Sequence, residues 1–349
     1  MQLNKRNSDI LSAVIRAYII TGEPVGSKQL LETEPLNCSS ATIRAKMSEL
    51  CELGMLNQPH TSAGRVPTAK GYRYFISELI KNNKLSDEDK RIIDSLMPQN
   101  ITSPDRLIDA ACNALADYTG CAAMLTTPSD KQSLISEIRL IDVGYNKVML
   151  VLIASNGMIS NSITRCDENI PPETLSTINE ILKSQLIGTV LEDFTPAAAQ
   201  SMLGSFGKYA LLTAPILAAL YDAAADIANS RIHLSGESYL ISHREFANAR
   251  ATGILKFLHS KREMLSILSQ FHDDINVVLG NETGEAALTS SGVVATKYYI
   301  GGKELGSIGI LGPDRMDYEH IIPGLLYFRK EFSKMLSASL GTDIRKDAD

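Results

Sequence analysis

Residues 39–50 read SSATIRAKMSEL, and this stretch decides the fold of the first part of the chain. A serine at either of its first two positions can cap a helix, because a side-chain oxygen accepts a hydrogen bond from a free amide of the first turn. Ile43, Met47 and Leu50 recur at helical spacing and form one apolar stripe. The pattern therefore predicts an amphipathic helix that packs through this stripe.

The opposite side of the predicted helix is small, polar and basic. At about 100° per residue, that side carries Ala41, Arg44, Ala45 and Ser48, with Thr42 at its edge. Small side chains let a helix lie deep in the major groove of DNA, and arginine, serine and threonine donate hydrogen bonds to base edges and phosphates. We therefore expect this side to read double-stranded DNA.

A short hairpin is expected after the helix. Gly54 can end the helix in a left-handed conformation, and the residues after it have an extended pattern. Residues 61–64 (TSAG) predict a turn in which Gly64 can take a positive φ without cost, and residues 65–67 predict the return strand. Arg65 would then lie at the hairpin tip or just past it, within reach of a phosphate or the minor groove.

A solvated surface is a simpler explanation for each of these polar residues taken singly. Amphipathic helices and hairpins lie on many protein surfaces without binding anything. The combination of a capped helix, a small basic face and a glycine turn followed by arginine favours DNA binding over that explanation.

Charge is distributed unevenly along the 349 residues. The formal net charge of the whole chain is −6, which alone would argue against a nucleic-acid partner. Residues 1–83, however, hold ten Lys and Arg against seven Asp and Glu, so the remainder carries the acidic excess. This distribution is typical of a small DNA-binding domain joined to another domain. Because the basic excess is only three charges, tight binding would need dimerisation or specific contacts as well.

The composition favours a cytoplasmic globular protein without a cofactor. Hydrophobic residues make up 44% and charged residues 21% of the chain, and the first residues lack the pattern of a signal peptide. The longest apolar run, residues 209–221, is too short to span a bilayer and contains Pro215, so no membrane partner is expected.

Neither a metal site nor catalysis is predicted. The five cysteines form no Cys-x-x-Cys pair, and the six histidines have no metal-ligand spacing. No phosphate-binding loop, dinucleotide fingerprint or catalytic constellation is present in the sequence. We therefore expect a protein that is not an enzyme, and a hydrolase joined to a DNA-binding domain has no residues to support it.

Residues 1–83 as a whole predict a winged helix-turn-helix domain. Besides the helix and hairpin described above, helices are expected over residues 7–20, 28–33 and 69–81. Ser27 would cap the second of these helices, and Thr68 the last.

Several blocks of the sequence are long and unusual. They are GEPVGSK (residues 22–28), SSATIR (39–44), QPHTSAGRVPT (58–68), GYR (71–73), NVVLGNE (276–282) and GSIGILGPDRMDY (306–318). These blocks resemble the signature blocks of HrcA, the bacterial heat-inducible transcription repressor family, at both ends of the chain. Where that family usually has Asn-Glu and Leu-Glu in the recognition helix, this chain has Ala45-Lys46 and Leu50-Cys51. Loss of two acidic residues would tighten phosphate binding or shift base preference.

The rest of the chain alternates between strand and helix patterns. Strands are expected over residues 134–142, 146–155, 158–164, 275–279, 293–300 and 307–311. Helices are expected over residues 105–119, 173–191, 197–226 with a break at Pro215, 245–271 and 318–340. Asn156-Gly157 is a strong hairpin signal, and residues 231–241 are expected to be short and extended with a turn at Gly236. This order predicts a sheet domain interrupted by an insertion.

The family resemblance implies an α+β multidomain fold: an N-terminal winged helix-turn-helix, a GAF-like α/β domain and an inserted, mainly helical dimerisation domain. We expect residues 1–83 to form the winged helix-turn-helix DNA-binding domain, 84–100 a linker and connecting helix, 101–189 and 272–342 the two parts of the GAF-like domain, and 190–271 the inserted dimerisation domain. Subunits are expected to meet at an alanine-rich segment that includes Ala210, Leu211, Leu212, Ile216, Leu217 and Leu220. A core helix explains this segment equally well.

The resemblance also implies function. It implies a repressor that binds an inverted-repeat operator, CIRCE, as a homodimer upstream of chaperone operons, and that is helped to its active fold by the GroEL chaperonin. For DNA binding we expect Ser40, Thr42, Arg44 and Ser48 in the major groove, Ser39 as a cap that touches phosphate, His60, Thr61, Ser62 and Arg65 in the wing, and Lys28 and Lys46 on phosphates. The alternative is a metabolite-sensing transcription regulator, in which a small ligand in the GAF-like domain controls the first domain.

Overall fold

The computed structural model describes residues 3–340, apart from residues 35, 37, 61–62, 83, 100, 102, 128–129, 230, 247–248, 270–273 and 283. Residues 3–82 form a unit that we name the head. Its elements are, in order, α1 (Lys5–Thr21), α2 (Ser27–Thr33), α3 (Ser40–Glu52), β1 (Leu56–Asn57), β2 (Val66–Pro67) and α4 (Ala69–Asn82). Every helix predicted for this part of the chain is therefore present.

The two ends of α1 follow from the residues that flank it. Asn4 caps the first turn, because its Oδ1 accepts a hydrogen bond from the Asn7 amide at 2.9 Å. Gly22 ends the helix in the left-handed conformation, with φ of 62°, and its amide donates to the Tyr18 carbonyl at 2.7 Å.

The core of the head is built from the apolar stripes of three helices. The stripe predicted for α3 is buried, with Ile43 and Leu50 at 0% and Met47 at 3% exposure. It packs in one cluster with Ile10, Leu11, Val14 and Ile15 of α1 and with Tyr72, Phe75 and Ile76 of α4.

β1 and β2 form the expected hairpin, in which Leu56 pairs with Pro67. Val25 adds a further antiparallel bridge to Arg65, with backbone hydrogen bonds of 2.9 and 2.8 Å. Gly64 does not use the positive φ that is open to a glycine. Glycine is required there for another reason: a Cβ on Gly64 would lie inside 3.0 Å of the Val25 carbonyl oxygen.

Residues 84–340 form the body. Its helices are α5 (Asp87–Leu96), α6 (Pro104–Thr119), α7 (Pro172–Leu186), α8 (Pro196–Met202), α9 (Ala210–Ala228), α10 (Glu237–Ser242), α11 (Ala249–His259), α12 (Lys261–Ser269) and α13 (Tyr318–Ser339). Its strands are β3 (Ala122–Thr126), β4 (Ile135–Asp142), β5 (Lys147–Ala154), β6 (Ile159–Arg165), β7 (Ile232–Ser235), β8 (Asn276–Leu279), β9 (Ser291–Ile300) and β10 (Lys303–Pro313). The extended segment expected over residues 231–241 is thus a strand followed by a helix.

Five of these strands form an antiparallel sheet in the order β7-β3-β10-β9-β8. Alternate residues of β3 point to opposite faces of it. Ala123 and Leu125 join the core that contains Phe328 of α13, whereas Ala122 and Met124 join a core with side chains of α10 to α12. Helices therefore cover both faces.

The other three strands form a separate antiparallel sheet in the order β4-β5-β6. α7 and α9 pack on one face of it, and the cluster they form contains Leu150, Leu152, Ile178 and Leu220. We name residues 130–229, which hold this sheet with α7, α8 and α9, the second unit.

The bounds of the second unit differ from those predicted for the inserted domain. The interruption of the five-stranded sheet lies between β3 and β7, over residues 130–229, and not over residues 190–271. Residues 237–269 cover the five-stranded sheet instead. The prediction is wrong because alternation identifies a strand but does not say with which sheet it pairs.

The alanine-rich segment differs from the prediction in the position of its break. Pro215 lies inside α9, and the helical path is interrupted at Gly207, with φ of 50° and ψ of −119°. The stretch Pro196–Ala228 has the length and apolarity of a membrane span, with a hydropathy of 1.5. Ile216 and Leu217 of this stretch are, however, buried in the core of the second unit, which is typical of a core helix.

The predicted linker of residues 84–100 holds a packed helix, α5, which contacts α6 and α13. Ile93 is 1% exposed, and the Tyr327 hydroxyl of α13 donates to Asp94 Oδ1 at 3.0 Å. The chain therefore passes from head to body through packed structure at this helix.

Gly71 of α4 and Gly253 of α11 provide a matched test of packing. A Cβ on Gly71 would lie inside 3.0 Å of the Met55 carbonyl oxygen, whereas a Cβ on Gly253 would meet only Ala287 Cβ, at 3.9 Å. Gly71→Ala is expected to destabilise the protein by roughly 1–3 kcal/mol despite the higher helix propensity of alanine, and Gly253→Ala to stabilise it by up to about 1 kcal/mol. Urea denaturation followed by circular dichroism measures both. An unchanged transition for Gly71→Ala would contradict this role of the Met55 carbonyl.

Candidate nucleic-acid interface

α3 begins at the cap that the sequence predicts. Ser39 is the N-cap residue, and its Oγ accepts a hydrogen bond from the Thr42 amide at 3.2 Å. The hydroxyls of Ser39 and Thr42 lie 2.9 Å apart and are also hydrogen-bonded. Both side chains therefore order the first turn, at the helix end whose dipole attracts phosphate.

One exposed stripe runs along α3, opposite its buried stripe. Ala41, Arg44, Ala45, Ser48 and Glu52 are exposed on successive turns. Arg44 has no hydrogen-bond or ion-pair partner within the described part of the chain, so its guanidinium is available to a ligand. The first four residues match the predicted groove-reading side. Glu52 is not among the predicted residues, although its position four residues after Ser48 places it on the same stripe.

Ser40 is predicted to read the major groove, but it is engaged within the head. Its Oγ lies 3.1 Å from the Ser27 Oγ, and the two hydroxyls join α2 to α3. The prediction that Ser27 caps α2 is wrong, because Ser27 is the first helical residue and Gly26 holds the cap position. Lys28, the next residue, is exposed as expected for a phosphate contact.

Lys46, predicted to contact phosphate, is also engaged. Its Nζ lies 2.6 Å from Glu49 Oε2, and Asn7 of α1 donates to Glu49 Oε1 at 2.8 Å. The hydrogen bond from Lys46, followed by that from Asn7, lowers the pKa of Glu49. A phosphate would therefore have to compete with Glu49 for Lys46. The i, i+3 spacing of this ion pair was visible in the sequence, whereas the part played by Asn7 was not.

The predicted wing residues occupy different environments. His60 is exposed, and Thr61 and Ser62 lie outside the described residues. Arg65 lies just past the turn and is half-buried, with Nη1 donating to the Ala63 carbonyl at 3.4 Å. The guanidinium of Arg65 therefore contacts the backbone of the turn, and part of this side chain remains accessible to solvent.

Other kinds of chemistry have little geometric support. Among the described residues, no group of three or more His, Cys, Asp or Glu side chains is placed to hold a metal ion. Burial raises the pKa of the Cys112 and Cys121 thiols to about 12, so both are protonated near neutral pH and are poor nucleophiles. The exposed groups of α3 suit recognition by hydrogen bonds and charge.

The chain is similar to known proteins over nearly its whole length. A family model described as HrcA protein C terminal domain matches residues 105–322, more than half of the chain. A heat-inducible transcription repressor HrcA from Acetivibrio thermocellus is 30% identical over 348 residues, which cover 99% of this chain and 99% of that protein. A heat-inducible transcription repressor HrcA from Clostridium perfringens is 30% identical over 336 residues, which cover 96% of this chain and 99% of that protein.

A solved structure shares the fold. The crystal structure of a hypothetical protein at 2.2 Å resolution has a TM-score of 0.72 to this chain, at 22% identity, and the match covers 97% of this chain and 100% of that one. The likeness includes the head as well as the body, since it extends over almost all residues of both chains.

Two serines of α3 test the capping geometry. Ser39→Ala removes the side-chain oxygen that accepts from the Thr42 amide and is expected to cost about 1 kcal/mol of stability. Ser48→Ala, in the exposed middle of the same helix, is expected to be neutral or slightly stabilising because alanine has the higher helix propensity. Chemical denaturation of both variants measures the difference. Equal stabilities would show that the Ser39 cap contributes nothing.

Proposed function

Because the chain belongs to the HrcA family of heat-inducible transcription repressors, we propose that it represses chaperone operons by binding an inverted-repeat operator, CIRCE, as a dimer. It is a non-enzymatic, cytoplasmic regulator of transcription in the stress response. The observation that carries the proposal is the exposed stripe of α3, in which Arg44 is the free cation among small side chains. Such a surface fits the major groove.

We infer that the head is a winged helix-turn-helix. α2 and α3 form the helix-turn-helix, and the contact of their Ser27 and Ser40 hydroxyls supports this pairing. α3 is the recognition helix, and the hairpin of β1 and β2 directly after it is the wing. The five-stranded sheet with α6 and α10 to α13 forms the GAF-like domain, and the second unit is the insertion that dimerises.

The predicted DNA contacts take three roles in this proposal. Arg44 and Ser48 read base edges, because both are exposed on the stripe. Thr42, predicted in the major groove, is hydrogen-bonded to Ser39 at the first turn of α3, so in this proposal it contacts phosphate with Ser39. Lys28, His60 and the predicted wing residues Thr61, Ser62 and Arg65 contact phosphate as well. Ser40 and Lys46 act mainly by holding α3 to its neighbours.

The second unit offers an apolar surface on which two chains can associate. The face of sheet β4-β5-β6 that points away from α7 and α9 carries the apolar residues Ile141, Met149, Val151, Ile153, Ile159 and Ile163, and the same register places Glu137, Arg139 and Asn161 among them. Ile141 and Ile159 are each 46% exposed and Ile163 is 63% exposed, and exposed apolar groups rimmed by polar residues mark interaction sites. A twofold operator needs two heads, so we propose that this face is the dimer interface.

The alanine-rich segment is a weaker choice for that interface. Ile216, Leu217 and Leu220 are at most 2% exposed in the core of the second unit, so they cannot meet another chain. Leu211, at 87% exposure, remains on the accessible side of the segment.

The GroEL chaperonin enters the proposal through the family resemblance, as the partner that brings the repressor to its DNA-binding state. Fluorescence anisotropy tests both operator binding and the effect of the chaperonin. It compares a CIRCE duplex with a scrambled duplex at two salt concentrations, with and without chaperonin. Preference for the repeat that chaperonin increases is the expected result. Equal, salt-sensitive binding to both duplexes would reduce the head to a generic basic surface and overturn the operator proposal.

Arg44→Ala is expected to weaken operator binding by about 1–3 kcal/mol and to relax base choice, because Arg44 is free to contact a base edge. Lys46→Ala is the matched control on the same helix, and it is expected to have a smaller effect because Lys46 is paired with Glu49. Anisotropy on operator variants with single base changes measures both. If Arg44→Ala weakens binding equally on all the duplexes, Arg44 contacts a phosphate and not a base.

Ile163→Lys and Leu211→Lys distinguish the two surfaces of the second unit. Both side chains are exposed, so neither change opens a cavity in the core. Ile163→Lys is expected to shift the protein from dimer to monomer, since it places a charge in the apolar patch, whereas Leu211→Lys is expected to leave the dimer intact. Sedimentation velocity reports the oligomeric state. The opposite result would assign the interface to α9.

A further inference from the structure

The last turn of α1 is capped by side chains from the body. α1 has no basic residue of its own in this turn. Arg315, between β10 and α13, donates from Nη1 to the Ile19 carbonyl at 2.9 Å, and Arg244 donates to the Gly22 carbonyl. Cations at this end of a helix satisfy its free carbonyls and oppose its dipole. The body therefore completes a helix of the head.

Arg315 is itself fixed by a carboxylate of the body. Its Nε donates to Oε1 of Glu245, and its Nη2 donates to Oε2 of the same residue at 3.2 Å. The two side chains are only 17% and 15% exposed. Burial alone would raise the pKa of Glu245. The hydrogen bond from Arg315, a backbone hydrogen bond and the charges of Arg315 and Arg244 together outweigh burial and hold the pKa below its usual value. A two-point pair fixes the plane of the guanidinium, and hence the place where Ile19 can dock.

Gly22 lies close to both arginines of the body. A Cβ on Gly22 would lie 2.6 Å from Arg244 Nη2 and 3.2 Å from Arg315 Nε. Arg244 also binds the next residue of the head, Glu23, with 2.8 Å between Nη1 and Oε1. Close fit and charge therefore act on the same few residues.

Two more arginines of the head reach the body at other points. Arg16 of α1 donates to both oxygens of Glu319, at 2.9 and 2.7 Å. Arg73 of α4 donates to the Val277 carbonyl at 3.0 Å and to the Glu282 carboxylate. Contacts at several separated points prevent rotation of the head as well as its translation.

α1 is also the helix against which α3 packs. Asn7 of α1 bonds Glu49 of α3, and the two helices share the buried stripe of α3. Head and body also share one apolar core, in which the ring centroids of Tyr72 and Tyr318 lie 5.9 Å apart. The direction in which α3 faces is therefore set by this core and, through α1, by Arg315 and its neighbours in the body.

We propose that Arg315, held by Glu245 and assisted by Arg244, is a positioning residue that makes the dimer read the spacing between two operator half-sites. The inference rests on the proposed repressor function. Two heads fixed to their bodies present two α3 helices at one separation and one rotation, so only one spacer length lets both enter the major groove. A head that turns freely would accept several spacers.

The test compares the wild type with Arg315→Met/Glu245→Gln, which removes the pair without leaving an unpaired buried charge. Lys297→Gln/Glu304→Gln is the matched control, because it removes an ion pair between β9 and β10 that does not involve the head. We name the contact of the Arg315–Glu245 pair with the last turn of α1 the clamp. Hydrogen exchange of the amides in that turn, measured without DNA, reports whether the clamp holds the helix end. Anisotropy on duplexes with the native spacer, with five added base pairs and with a single half-site reports spacing.

Five added base pairs turn the second half-site to about the opposite side of the helix. The wild type and the control are expected to lose about 30-fold or more in affinity, as they lose the linked second site. The clamp variant is expected to lose only about threefold, with unchanged half-site affinity and unchanged dimerisation, and with faster exchange confined to the end of α1.

Three results would overturn the inference. Unchanged exchange at the end of α1 would show that the pair does not hold the head. Faster exchange with spacer discrimination as strong as in the wild type would show that the clamp does not set spacing. Tighter binding of the variant to the native operator would make the contact inhibitory. A wild type that does not prefer the operator over a scrambled duplex would instead be a failure of the repressor proposal, and the exchange result would still report whether the clamp exists.

Discussion

The candidate DNA surface depends on the burial of one stripe of α3. Ile43, Met47 and Leu50 are almost fully removed from solvent, and each contributes roughly 1.5–3 kcal/mol by its burial. Because a helix is rigid about its own axis, this burial also fixes the stripe on the opposite side. Arg44 and Ser48 face outward as a consequence, and neither has a hydrogen bond or ion pair within the described part of the chain. The candidate DNA surface is therefore specified by apolar packing on the far side of α3.

Packing also connects that surface to the rest of the chain. α3 lies on α1, and the end of α1 lies against Arg315 and Arg244 of the body. Exposed ion pairs contribute little, but the pair of Arg315 with Glu245 is shielded and has two hydrogen bonds in a fixed geometry. This pair contributes more to the orientation of the end of α1 than to the stability of the fold. α1 has no basic residue in its last turn, and Arg315 of the body supplies the cation that caps this end of the helix.

Local features of the fold could be predicted from the sequence, because they depend on neighbours along the chain. The cap at Ser39, the buried and exposed stripes of α3, and the hairpin at Asn156-Gly157 all follow from spacing and turn chemistry. The sequence did not reveal that β4, β5 and β6 form a sheet of their own, since strand partners are chosen over long distances. Ser40 contacts Ser27, and Lys46 contacts Glu49, which also accepts from Asn7, so two of the predicted DNA contacts have partners within the head. Only the Lys46–Glu49 pair had a spacing that could have indicated it.

The place of the second unit in the sheet explains how one chain can carry two separate surfaces. Thr126 at the end of β3 pairs with Ile232 at the start of β7, and the Thr127 amide donates to the Arg231 carbonyl at 2.9 Å. The whole unit therefore leaves and re-enters the five-stranded sheet as a long hairpin connection would. The entropy of closing such a connection grows only slowly with its length, so a folded unit can occupy it without disturbing the strands. The head docks on the five-stranded sheet domain through a shared apolar core and through arginines, whereas the exposed face of the second unit belongs to a different sheet. In the proposed dimer, association through that face would set the distance between bodies, while the contacts of each head with its body would set the direction of α3.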